Sequence, residues 1–172
     1  SQKNPFMGVL VGVMFTTLIQ SSSATTSLLV TMASRGLITL GAAVPIIFGA
    51  NIGRTSTALI ACVGTNLAAR RAAVAHLLLN VIGTVLFLPF LKVFQAVAAA
   101  SSPGLPRQIA NTHTLFNVAM TLVMFPCMGF FVTLVKRVVK GDEVQVEHGP
   151  KYLDRHLLAT PFSAVLQVKM EV

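Results

Sequence analysis

The sequence predicts an all-α integral membrane protein made of a re-entrant helical hairpin, a broken transmembrane helix and two further transmembrane helices. Three observations predict it. The 172 residues are 54% apolar and 10% charged, with a mean hydropathy of +0.77, outside the range of soluble domains. Ten Lys and Arg precede Asp142, but no Asp or Glu does. Finally, the apolar runs are cut at two places by small polar residues or glycines, where hydrocarbon-spanning sequence should be continuous.

The first run, Pro5 to Ser34, follows Lys3 without a small-residue cleavage pattern, so it is expected to belong to the mature fold. Its centre reads TTLIQSSSATTS, in which nine of the twelve residues from Thr16 to Ser27 carry a hydroxyl or an amide. This stretch divides the run into Pro5–Ile19 and Ala24–Ser34, about 22 and 16 Å long as helices. Neither spans a ~30 Å hydrocarbon core. A hairpin with QSSS at its tip fits both lengths; one long tilted span is the competing arrangement.

The second run, Leu40 to Val63, is interrupted by GANIG (49–53), whose two glycines weaken a helix and let the backbone unwind. The third extends from about Ala72 to Phe90 and continues as LKVFQAVAAA, an amphipathic or interfacial piece. SSPGLP (101–106) is a loop, and the fourth run covers Ile109 to Val135. Residues 1–140 thus form the membrane domain. From Gly141 the chain is charged and turn-rich, and PFSAVLQVKMEV begins an amphipathic helix with Pro161 in its first turn. The 141–172 region reads as a cytoplasmic linker and the start of a helical region cut short by the chain's end. Cys62 and Cys127, both in apolar runs, are expected as small packing residues.

An internal repeat joins the last two runs. RRAAVAHLLLNVIGTVLFLP and RQIANTHTLFNVAMTLVMFP align without gaps, pairing His76 with His113, Asn80 with Asn117, Thr84 with Thr121 and Pro89 with Pro126. Within each copy His, Asn and Thr share one helical face, which suits polar contacts between the repeated helices. With a hairpin first, Lys3, Arg35, Lys92 and Arg107 share one side. Arg70, Arg71, Lys136, Arg137 and Lys140 share the other, whose slight excess places the C-terminus in the cytoplasm. The net charge of +8 therefore follows membrane topology rather than nucleic-acid binding.

Broken helices survive in a bilayer only where they are buried or line a wet cavity. The two breaks are expected to aim helix N-termini at membrane depth, which makes an anion site. Discontinuous helices are also how secondary transporters build substrate sites. Ser21, Ser22, Ser23, Thr25 and Thr26 offer hydroxyls to an oxyanion, the same oxygens can ligate Na⁺, and Gln20 can donate or accept. The lack of membrane carboxylates spares an anion repulsion and favours Na⁺ over H⁺ coupling, with His76 and His113 leaving H⁺ open. Arg54, after GANIG, has no acid to pair with; it faces an anion, occupies a cation's place, or reaches water through the break.

QSSSATT, GANIG, RRAAVAHLLLNVIG with FLPF, and IANTHTLFN resemble the repeat unit of the type II sodium–phosphate cotransporter family, most closely its bacterial members. PKYLDRHLLATP resembles that family's passage into a PhoU-like cytoplasmic domain. The resemblance implies Na⁺-driven phosphate symport by one half of an inverted-repeat transporter in a bacterial inner membrane. It assigns substrate and sodium binding to Gln20, Ser21, Ser22 and Ser23, and a further role to Asn51. No cofactor is implied beyond Na⁺ as the coupling ion; the partners are phosphate, Na⁺, the bilayer and a second repeat, either upstream in the same chain or in a homodimer. Two features depart from the family: Arg54 stands where it has Thr, which bears on the sodium site, and only one QSSS is present. A membrane-anchored regulatory subunit is the alternative function. A serine hydrolase is disfavoured, because no acid orients His76 or His113 and no nucleophile elbow surrounds Ser21–Ser23.

Overall fold

The computed structural model describes residues 4–141, so of the expected linker and helix start only Gly141 is described. The chain folds into α1 (Pro5–Ile19), α2 (Ser22–Ser34), α3 (Leu40–Gly53), the short α4 (Ser56–Ala61) and α5 (Leu67–Phe87). A 3₁₀ turn (Leu88–Phe90) then leads to α6 (Leu91–Ala100), α7 (Leu105–Met124) and α8 (Met128–Val138). The all-α membrane class stands: Leu40–Ala61 and Leu67–Ala100 are long and apolar enough to cross a bilayer, and α7 with α8 adds a bent third.

The first run is a hairpin rather than a tilted span. Asn4 caps α1 by accepting from the Phe6 amide at 3.1 Å, with Pro5 in its first turn. The helix ends at Gln20, whose left-handed backbone (φ 59°) breaks the ladder. Ser21 is then extended and caps α2, its Oγ accepting from the Ala24 amide at 3.2 Å. The chain turns back on itself, so that Val11 and Phe15 of α1 and Leu28 and Met32 of α2 line one apolar cavity of 220 Å³. Ser22 and Ser23 belong to the first turn of α2, two residues earlier than the apolar pattern indicates.

GANIG does not unwind. Residues 49–53 complete α3, and the interruption falls after them at Arg54 and Thr55, which keep right-handed helical angles. The amides of Arg54 and Thr55 are paired with the Ala50 and Ile52 carbonyls at 3.1 and 3.0 Å. No free helix start is therefore presented there. The glycines serve another purpose. A methyl on Gly49 would overlap the Val9 carbonyl, one on Gly12 the Ile46 carbonyl, and one on Gly53 would sit 2.6 Å from the Val13 carbonyl. Gly12, Gly49 and Gly53, with Gly8 against Pro45, let α1 and α3 run in parallel with backbones touching, the small-residue packing that membrane helices use.

Around α3 the core has two clusters. Phe48 packs at a tilt against Phe116 (ring centroids 4.5 Å) and meets Phe94 edge-on (5.1 Å), and Phe87 joins them, tying α3 to α5, α6 and α7. Leu29, Ala33, Ala43, Ile47 and Ile109 join α2, α3 and α7. The expected interfacial piece is α6, whose Leu91, Phe94 and Ala98 are buried in the protein.

The fourth run is not one straight helix. It bends by 90° between α7 and α8, around Phe125–Cys127. Pro126 supplies the reason: it has no amide hydrogen with which to continue the helical ladder. Its repeat partner Pro89 falls in the 3₁₀ turn. Cys127 at the bend is exposed, so it is not the packing residue expected, while the Cys62 thiol donates to the Leu59 carbonyl. The His–Asn–Thr stripes do not bond the repeated helices to each other. Asn80 and Asn117 donate to the His76 and His113 carbonyls at 2.9 and 2.7 Å, and Thr121 donates to Asn117. Only Thr84 reaches another helix, at the Phe48 carbonyl, 3.4 Å away.

Arg71 donates from Nε to the Val139 carbonyl (3.3 Å) and from Nη2 to the Gly141 carbonyl (3.1 Å). The start of α5 and the end of α8 therefore lie together, as the grouping of Arg70 and Arg71 with Lys136, Arg137 and Lys140 anticipates.

Two predictions follow from this packing. Gly49→Val should destabilise the fold by about 1–3 kcal/mol or more, because the obstacle is backbone and cannot rotate away. Gly41→Ala, with nothing within 4 Å, should be neutral or mildly stabilising. Thermal melts in detergent decide, and equal melting of Gly49→Val and wild type would refute the packing. For the second, Arg71→Ala should speed amide exchange at residues 138–141 severalfold while sparing the middle of α5.

The polar hairpin tip as a candidate functional site

The register of α1 on α3 places the hairpin tip. Val9 lies beside Gly49 and Val13 beside Gly53, so Thr16 comes to the end of α3, its Cβ against Gly53. Thr17 points its hydroxyl at the Gly53 carbonyl, 3.5 Å away. Across the hairpin, Thr16 Oγ1 and Thr25 Oγ1 share a 2.8 Å hydrogen bond, and both side chains are buried. Nine residues apart along a straight helix, they would be about 13 Å apart. The two polar stretches of the sequence are thus brought together.

The expected site residues take different situations. Ser22 and Thr25 are buried, Ser21 is half-buried, and Gln20 and Ser23 are exposed. Thr25 Oγ1 also bonds the Ser21 carbonyl at 3.1 Å, and Thr26 Oγ1 the Ser22 carbonyl at 2.8 Å, so both threonines brace the first turn of α2. The side chains of Gln20, Ser22 and Ser23 make no hydrogen bond among the described residues. Asn51 is completely buried on α3; its amide nitrogen donates to the Ile47 carbonyl at 2.9 Å while Oδ1 has no partner. Arg54 is half-buried just beyond.

Reading residues in isolation missed Thr16, Thr17, Thr55 and Ser56. Thr16 belongs to the same hydroxyl-rich run, and folding that run about Gln20 would have paired it with Thr25. Thr55 is buried and bonds the Ile52 carbonyl at 2.7 Å. Ser56 Oγ is buried without a partner.

The tip can act on small ions in two ways. The start of α2 presents backbone amides and the positive end of a helix dipole. Around it stand neutral hydroxyl and amide oxygens, which suit an alkali cation, and no carboxylate stands among the first 141 residues to repel an anion.

Comparison with known proteins is consistent with that chemistry. The family model described as Na+/Pi-cotransporter matches residues 1–103. Over 131 residues the chain is 34% identical to "Uncharacterized protein YqeW" of Bacillus subtilis, covering 76% of this chain and 43% of that protein. It is 28% identical over 166 residues to "Putative inorganic phosphate export protein YjbB" of Escherichia coli K12, covering 96% of this chain and 31% of the relative. Human "Sodium-dependent phosphate transport protein 2B" is 44% identical over 92 residues, 50% of this chain and 13% of that one. The chain therefore spans less than half the length of these relatives. No solved structure matches it. With the matching family model extending over the hairpin, GANIG and most of α5 and α6, this chain belongs to the Na+/Pi-cotransporter family.

Proposed function

We propose that this chain carries one binding half of a sodium-coupled inorganic phosphate symporter, as the C-terminal repeat of the transporter, in the bacterial cytoplasmic membrane with its C-terminus in the cytoplasm. The observation that carries the reading is the hairpin tip: a helix start at Ser22, freed by the left-handed Gln20 and tied by the Thr16–Thr25 bond to the end of α1, which lies against the end of α3. Gln20, Ser21, Ser22, Ser23 and Thr25 surround that start, and the unpartnered Asn51 Oδ1 supplies an acceptor nearby. Amides and hydroxyls would take the phosphate oxygens, and neutral oxygens the sodium. Sodium bound beside a phosphate offsets its charge, which couples the two ions without a proton-carrying carboxylate. A second repeat would complete the site from the other side.

The direction of net flux follows from the ion gradients that a symporter dissipates. The names of the relatives include both sodium-dependent transport and export, so direction belongs to the same test.

Vesicles containing the full-length protein should accumulate phosphate when an inward sodium gradient is imposed, and release preloaded phosphate when it is reversed. Ser22→Ala should cut the initial rate about tenfold, the scale of one lost charge-assisted hydrogen bond. Flux indifferent to both sodium and Ser22 would exclude this mechanism and leave the membrane-anchored regulatory subunit.

A further inference from the structure

A cavity of 580 Å³ opens where α1, α3 and α6 begin, within the ~300–1,000 Å³ range of small-molecule sites. Pro5, Pro45 and Leu88 give it apolar surface, while Thr39, Lys92 and Gln95 bring a hydroxyl, a cation and an amide. The first turn of α3 also lies on its wall at Gly41, where an added methyl would meet nothing within 4 Å. The Lys92 and Gln95 side chains make no hydrogen bond or ion pair among the described residues, and the first 141 residues hold no acid to neutralise Lys92. The level of the cavity follows from the long helical unit Leu67–Ala100. Lys92 comes 21 residues after Arg71, about 31 Å along a helix and so one hydrocarbon core away. With Arg70 and Arg71 at one water interface, Lys92 stands at the level of the other. A soluble anion would use this cation and leave the apolar wall uncovered; a neutral lipid would do the reverse. An anionic phospholipid uses both, as in the basic pockets between membrane helices that hold anionic headgroups.

We propose that this cavity binds one anionic phospholipid. Lys92 Nζ pairs with the phosphodiester and the Gln95 amide donates to headgroup oxygens, while Pro5, Pro45 and Leu88 cover the glycerol and the first acyl carbons. One ligand then touches the starts of α1, α3 and α6 and reinforces the register of α1 on α3. The site is distinct from the hairpin tip, because the 15 residues of α1 carry the chain about 22 Å away from Pro5 before the turn. The inference rests on the membrane class of the chain and not on the identity of any transported ion.

The test titrates the full-length protein in detergent with phosphatidylglycerol or phosphatidylcholine and counts bound lipid by native mass spectrometry. Phosphatidylglycerol should be retained in preference to phosphatidylcholine. Lys92→Gln should weaken its apparent affinity about fivefold, the scale of one interfacial cation, and Lys92→Arg should keep it. Gly41→Leu, which fills open space, should weaken binding at least as much without lowering the melting temperature of the lipid-free protein. Excess inorganic phosphate should not displace the lipid; displacement would make this a site for the free anion and overturn the lipid assignment. Equal retention of the two lipids, or unchanged phosphatidylglycerol affinity in either Lys92→Gln or Gly41→Leu, also overturns the proposal. So does an equal loss in Arg35→Gln, because Arg35 does not line the cavity and its effect would mean diffuse surface attraction.

Discussion

The close contact between α1 and α3 is the constraint on which the rest depends. In a bilayer, apolar side chains gain little by leaving lipid for one another, so helices associate through close packing and polar contacts. Gly12, Gly49 and Gly53 remove the side chains that would hold the two backbones apart, with Gly8 seated on Pro45 at the upstream end. That contact also fixes register. Because Val9 meets Gly49 and Val13 meets Gly53, the end of α1 arrives beside the end of α3. A slip of one turn, about 5.4 Å, would separate Thr16 from Gly53 and disperse the hairpin tip.

The second constraint is electrostatic. A membrane domain without a carboxylate cannot neutralise its own cations internally, so they must reach water, carbonyl oxygens or a ligand. Arg71 takes carbonyls at the end of α8. Lys92, at the opposite end, lines an open cavity of 580 Å³ with Thr39 and Gln95. The Arg54 side chain is half-buried and makes no hydrogen bond among the described residues. Most intramembrane hydroxyls and amides, by contrast, turn back to the carbonyl one turn before them, which satisfies them without a partner helix. Among the described residues, the side chains left unpaired include Gln20, Ser22 and Ser23 at the hairpin tip, and the buried Asn51 Oδ1 and Ser56 Oγ belong to α3 and α4.

The local features were legible wherever short-range chemistry decides. The lengths on either side of QSSS are too short to span, and the hairpin was expected from them, beside a tilted span as the competing arrangement. Pro126 carried its own signal too, yet the hydrophobic run continues through it, and hydropathy alone conceals a 90° bend. GANIG misled for a different reason. Two glycines four apart mean either a weak helix or a close neighbour, and a single chain segment does not contain its neighbour. The His–Asn–Thr stripes were likewise correct as helical faces, while the choice between bonding across and bonding back lay with the geometry around them.

By itself the sequence determined the membrane class, the helical content, the polar break at QSSS and the chemistry of uncharged oxygens, because hydropathy and residue types act over a few residues. Only the tertiary structure decided that the glycines of α3 receive α1 and that Thr16 answers Thr25. Those partners lie nine to about forty residues apart, and no local preference encodes their distance. It is set by which surfaces are small enough to touch, a property of two segments taken together.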